Sequence, residues 1–215
     1  DIDASSDILI KNCYMEVNDD AVALKGGKGI WADTLPENGS NERILIEDCE
    51  YGFCHGCLTL GSESIHNRNI ILRNITVSSG YNLLWLKLRP DTPQIYEYIR
   101  LENIRGKIAN VLNIHPWSQF YTPGDRSLPP SRCTQISFRD CVCSCDVFFN
   151  VQPDEAHYRL SDFRFQNLQI TASDTHYDPS AIGNCTFEHV FLSSRDSIDF
   201  PDSVTTLTAD NTILH

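Results

Sequence analysis

The chain has no apolar run approaching the ~20 residues of a membrane-spanning helix, and its first residues carry neither the basic segment nor the apolar stretch of a secretion signal. Positive charge is scarce. Seventeen Lys and Arg stand against 29 Asp and Glu, a formal net charge of −12. That balance argues against a nucleic-acid or anionic-membrane surface, because such partners are met by Lys/Arg patches. The expected partner is neutral, or charged and met by a local basic cluster. Heptads and long helical stripes are absent as well.

Nine cysteines are an odd number, and 215 residues can bury a full core as one domain, so disulfide staples are not required. Cys54 and Cys57 flank His55 in "CHGC", but two Cys and one His lack the second ligand pair of a finger-like zinc site. The sequence opens at "DIDASSDILI" without an initiator Met and reads as a mature form, a domain or a fragment.

What is present is a repeat. The pattern apolar-x-apolar-x-Asn/Asp-Cys/Ile/Leu-x-apolar occurs as "ILIKNCYM", "ILIEDCEY", "IILRNITV", "IRLENIRG", "ISFRDCVC" and "FRFQNLQI", with a weaker copy in "CTFEHVFL". Its polar position is Asn12, Asp48, Asn74, Asn103, Asp140 and Asn167, recurring every ~26 to 37 residues, the range of solenoids. Strands this short cannot stand as independent sheets, whereas stacked coils bury one another. The spacing predicts an all-β fold, a parallel β-helix spanning residues 1–215 as a single domain. The polar residues would form a hydrogen-bonded ladder at a bend, and Cys13, Cys49 and Cys141, just after it, would pack as small core thiols.

The ladder serves as a ruler. Asp19, His55 and Tyr81 each lie seven residues beyond a ladder position and should stack; Lys25, Gly61 and Lys87, thirteen beyond, should form a second row. In "LLWLKLRP" the leucines must face inward, so Trp85, Lys87 and Arg89 are expected to face solvent. By the same alternation Val22, Leu24, Leu58 and Leu60 point in, and Ala21, Ala23, Lys25, Cys57 and Thr59 point out. The expected result is one exposed patch with a floor of small residues, ringed by Asp19, Asp20, His55, Trp85, Lys87 and Arg89. Carboxylates that move protons, cations for acidic sugars and a ring for a pyranose face suit a sugar-binding cleft. Taken singly, Asp19-Asp20 also reads as an Asx turn, His55 as a solvated surface residue, and the cations as stems covering apolar surface.

In the order "NDDAVALKGG", "CHGCLTLGS" and "WLK", these motifs resemble those of the polygalacturonase family of pectin-degrading glycoside hydrolases (glycoside hydrolase family 28). That family's marks are Asn-Thr-Asp with a further Asp three residues on, then Asp-Asp, Gly-His-Gly and Arg-Ile-Lys. Asp1 matches the trailing Asp of the first. The resemblance covers nearly the whole chain at the level of rungs, and its specific motifs lie in residues 1–87. It implies a right-handed parallel β-helix and inverting hydrolysis of galacturonan or rhamnogalacturonan. Asp19 would be the general acid, Asp20 would help activate water, His55 would tune Asp19 by hydrogen bonding, and Lys87 would bind a substrate carboxylate. Lys25 and Arg89 would add positive charge to the substrate site. A pectic oligo- or polysaccharide is the implied partner, with no cofactor, in a secreted or periplasmic setting.

The family's first catalytic Asp would fall three positions before Asp1, so N-terminal rungs are expected to precede this chain. Cys54 replaces the leading Gly of the third motif. Trp85 replaces the Arg of the fourth and would stack on a neutral or deoxy sugar such as rhamnose, unless Arg89 supplies the missing charge. Residues 113–133 read as a loop walling the cleft, with His115 and Trp117 as substrate contacts, or as a structural loop with packed aromatics. The tail after Asp196 would cap the stack. A calcium-dependent pectate lyase and a non-catalytic carbohydrate-binding β-helix are the alternatives.

Overall fold

A computed structural model describes residues 1–122, 124–195 and, for the backbone alone, 204–207. Among them there is no α-helix. The chain forms β1 (Ile2–Asp3), β2 (Ser6–Lys11), β3 (Tyr14–Met15), β4 (Ala23–Lys25), β5 (Ser40–Tyr51), β6 (Gly56–Leu60) and β7 (His66–Val77), followed by β8 (Asn82–Leu88), β9 (Ile95–Pro116), β10 (Ser131–Val151), β11 (Tyr158–Asp174), β12 (Ile182–Gly183), β13 (Thr186–Ser194) and β14 (Val204–Leu207). All belong to one sheet, mostly parallel, in which each strand pairs with the strand one repeat later. Ile44 pairs with Ile70, Ile70 with Ile99, Ile99 with Ile136 and Ile136 with Phe163. The expected tail cap lies outside the described residues, apart from β14, which pairs antiparallel with β13.

The long strands bend, and the bends explain the repeat. Asn12, Asp48, Asn74, Asn103, Asp140 and Asn167 all have φ between 50° and 56°, the left-handed region that Asn and Asp tolerate best among side-chain-bearing residues. The ladder forms where amide follows acid or amide. Asn74 Nδ2 donates to Asp48 Oδ1 at 2.9 Å, Asn103 Nδ2 to Asn74 Oδ1 at 2.9 Å, and Asn167 Nδ2 to Asp140 Oδ1 at 3.0 Å. His189, in the weaker copy, has φ 53° at the equivalent bend. A second left-handed row precedes the first in every repeat, at Asp7, Arg43, Asn69, Tyr98, Gln135, Asp162 and Asn184.

Between the two corners runs a four-residue arm whose first and third side chains face the core: Ile44 and Ile46, Ile70 and Leu72, Ile99 and Leu101, Ile136 and Phe138, Phe163 and Phe165. Equivalent positions of parallel neighbours stack ~4.8 Å apart, so like side chains meet. Phe138, Phe165 and Phe187 form a stack with centroid separations of 5.2 and 5.0 Å. Each fully buried Leu, Ile or Phe contributes on the order of 1.5–3 kcal/mol through apolar burial. Cys49 and Cys141 pack in this core as free thiols, as the repeat predicts, whereas Cys13 is exposed because no earlier strand covers it among the described residues.

The other face of the repeat carries the motifs. In β4, β6, β8 and the later parts of β9 and β10, the register Ala23–Thr59–Trp85–Asn113–Asn150 brings segments far apart in sequence onto neighbouring strands.

Candidate functional site

The inward leucines behave as alternation requires: Val22, Leu24, Leu58, Leu60, Leu84, Leu86 and Leu88 are buried. The opposite row departs from expectation. Ala23, Cys57 and Thr59, expected to form an open floor, are buried as well. Asp20 is part of the cover: its side chain is only 7% exposed and its Oδ1 lies close to Gly56, beside Thr59. Gly56 is required there, because an added Cβ would stand 2.1 Å from Thr59 Oγ1 and 2.9 Å from Asp20 Oδ1. Both oxygens are buried with no hydrogen-bond partner among the described residues.

The adjacent carboxylates diverge. Asp19 projects into solvent, with its side chain 87% exposed, and its Oδ1 accepts the Asp20 backbone N–H at 2.8 Å. That bond reaches only the next residue, and the Ala21 N–H donates to the Gly56 carbonyl at 2.8 Å, so the Asx turn that the pair also suggested is not formed. Asp20 turns inward, and its Oδ2 accepts from Lys87 Nζ at 2.7 Å. That ammonium lies 4.0 Å from the Trp85 ring centroid and 4.8 Å from that of Trp117, so the charge is held by one carboxylate and two aromatic faces.

The predicted stacking of Asp19, His55 and Tyr81 is present. The His55 N–H donates to the Asp19 carbonyl at 2.8 Å, its Nδ1 stands 4.0 Å from Asp19 Oδ1, and its ring stacks on Tyr81 at 5.4 Å. Asn82 Nδ2 donates to the His55 carbonyl at 2.8 Å, which fixes the loop from the next strand. The second row holds too, since Lys25 Nζ donates to the Gly61 carbonyl at 2.9 Å.

A cleft of about 200 Å³ opens beside these groups, and His55, Tyr81 and Trp85 do not line it. Asp19, Asp20, Lys25 and Lys87 line it together with Asp1, the residue matched to the first motif. Trp117 and Gln119, from the 113–133 loop, contribute a wall, as does Ser62. Glu63 also lines it and was not foreseen: it follows the Lys25–Gly61–Lys87 row by two residues and pairs with Lys25 at 3.1 Å. Burial pushes the Glu63 carboxyl up, but backbone hydrogen bonding and Lys25 outweigh it and hold it below the usual range.

Three expected substrate contacts are placed otherwise. Arg89, expected on the exposed patch, is 1% exposed. Its guanidinium forms a two-point bridge to Asp91 at 2.7 and 2.8 Å and donates to the carbonyls of Gln119 and Phe120. The loop folds over it because these donors would otherwise be buried unpaired. Lys87 is not a free cation, being committed to Asp20. His115 stacks on Trp85 at 5.9 Å, beside Trp117 but not lining the cleft. Burial, with Lys87 second, holds its imidazole below the ordinary histidine range. Trp85 is half-buried and underlies Lys87.

The loop wall is clasped from outside. Arg126 donates to the Ile30 carbonyl at 2.7 Å and to both oxygens of Asp33, and stacks on Trp31 at 4.8 Å. No protein-family model and no curated protein matches this chain.

Proposed function

We propose that the protein is a right-handed parallel β-helix of the polygalacturonase type that hydrolyses a pectic polysaccharide with inversion at the anomeric carbon. The observation that carries this reading is the contact of Asp20 with Lys87, 67 residues apart, in a cleft shared with Asp19 and Asp1. Residues matched to the first, second and fourth motifs meet there, and His55 of the third touches Asp19. The two corner rows, the aligned repeats and the parallel register support the β-helix.

In this reading Asp19 is the general acid. It is the exposed member of the pair and can reach a glycosidic oxygen, with His55 Nδ1 4.0 Å from its Oδ1, beyond hydrogen-bond distance. Asp20 serves as a carboxylate whose direction is fixed by Lys87, and it helps to polarise water. An inverting pair needs about 6.5–9.5 Å between acid and base so that water fits on the far face of the sugar. The opposite orientations of Asp19 and Asp20 suit that need. Trp117, which lines the cleft, offers a ring face for pyranose stacking.

The test is Asp19→Asn in the full-length protein, assayed for release of reducing ends from galacturonan and rhamnogalacturonan. Removal of the acid should lower turnover by at least about 10²-fold while binding persists. Unchanged turnover would contradict the assignment, and carbohydrate binding without turnover in the wild-type protein would favour a binding module.

A further inference from the structure

The sugar ring accepted by the cleft carries no charge, we infer from its electrostatics: it is a neutral hexose or deoxyhexose, and a uronate is disfavoured. This rests on the proposed reading only for the location of the sugar. Four carboxylates line the cleft, those of Asp1, Asp19, Asp20 and Glu63, against two cations, Lys25 and Lys87. Neither cation is free. Lys87 is bound to Asp20 at 2.7 Å and lies against two indoles, and Lys25 is bound to Glu63 at 3.1 Å and to the Gly61 carbonyl at 2.9 Å.

Of the neighbouring arginines, Arg126 is held by Asp33, and Arg89 is held by buried Asp91 and reaches only a protein carboxylate of the cleft, Glu63, at 3.8 Å. A sugar carboxylate would therefore enter a site with two more acids than bases. Drawing either lysine toward it would strip a protein carboxylate of its partner, which is costly for the Asp20–Lys87 pair, where both side chains are nearly buried. The position that holds Arg in the resembled motif is Trp85, which lies against Lys87 without lining the cleft and adds no charge. Trp117, beside it, presents a half-buried indole to the cleft, suited to the C–H face of a neutral pyranose.

The experiment is binding, independent of turnover. Methyl α-rhamnoside, methyl α-galactoside and methyl α-galacturonide are titrated into the full-length wild-type protein while the tryptophan indole N–H signals are followed by NMR. At least one neutral glycoside should perturb the Trp117 signal and bind about tenfold or more tightly than the galacturonide, a gap of about 1.4 kcal/mol, with no weakening on added salt. Trp85→Arg should narrow that gap. Equal or tighter binding of the galacturonide, or no response of the Trp117 signal to any neutral glycoside, would overturn the inference. Neutral-glycoside binding without hydrolysis of any pectic substrate would leave it standing and remove the hydrolase reading.

Discussion

Lys87 Nζ and Asp20 Oδ2 meet at 2.7 Å with their side chains 10% and 7% exposed, the tightest acid–base contact in the cleft. Removing one member of such a pair leaves an uncompensated charge in a nearly closed site. Lys87→Met should therefore lower unfolding free energy by about 3 kcal/mol at neutral pH, and Lys87→Met with Asp20→Asn should recover part of that loss. Urea unfolding of the single and double variants decides the point, and a single variant as stable as wild type would show that the pair contributes nothing.

Gly56 fixes the carboxylate from below. A methyl group there would collide with Thr59 Oγ1 and crowd Asp20 Oδ1, so Gly56→Ala should displace Asp20 and reduce turnover by about tenfold or more. The expected stability cost is about 1–3 kcal/mol, that of overpacking. Full activity in a folded Gly56→Ala variant would mean that Asp20's placement is immaterial to turnover.

Asn74 sits mid-ladder, donating to Asp48 and accepting from Asn103 at a left-handed φ of 54°. Asn74→Ala loses both hydrogen bonds and strains the corner, for a cost of about 2 kcal/mol, whereas Asn74→Gly relieves the strain and should cost less. Thermal unfolding of the two variants should rank them in that order.

Acid should destabilise the protein in two stages. His115 titrates lower in the folded chain than its ordinary value of 6.5, because burial and then Lys87 oppose its charge. As pH falls through 6.5 the unfolded chain binds a proton that the folded chain refuses, so stability drops with acidification. The Asp91 carboxyl is pushed up by burial, but Arg89 and the Thr122 N–H hold it below 3.8, so its stabilisation is lost only as pH falls below 3.8. His115→Gln should flatten the first stage and leave the second. Denaturant unfolding as a function of pH separates them.

Much of the arrangement was legible because it repeats. The ladder residues stand at bends that favour Asn and Asp, so chemistry and spacing agree, and counting from them aligned Asp19 with His55 and Lys25 with Gly61. The preceding corner row mixes Asp, Arg, Asn, Tyr and Gln, so no residue type betrays it. Side-chain pairing was less legible. Alternation places Lys87 on the outer side of β8 and Arg89, just past its end, on the same side, but says nothing of Asp20 turning inward, nor of residues 119–120 closing over Arg89. Those contacts depend on how loops far apart in sequence fold across the face, and they convert an expected open floor into a narrow cleft with its cations already paired.

The most direct test of the central claim is the stereochemistry of the first product. The full-length protein and its Asp19→Asn variant are mixed with rhamnogalacturonan and homogalacturonan oligosaccharides, and the newly formed anomeric proton is followed by NMR before mutarotation. The account predicts a saturated product of inverted configuration, formed by the wild type and lost in the variant. A product of retained configuration, an unsaturated product absorbing in the ultraviolet, or equal hydrolysis by the variant would contradict it.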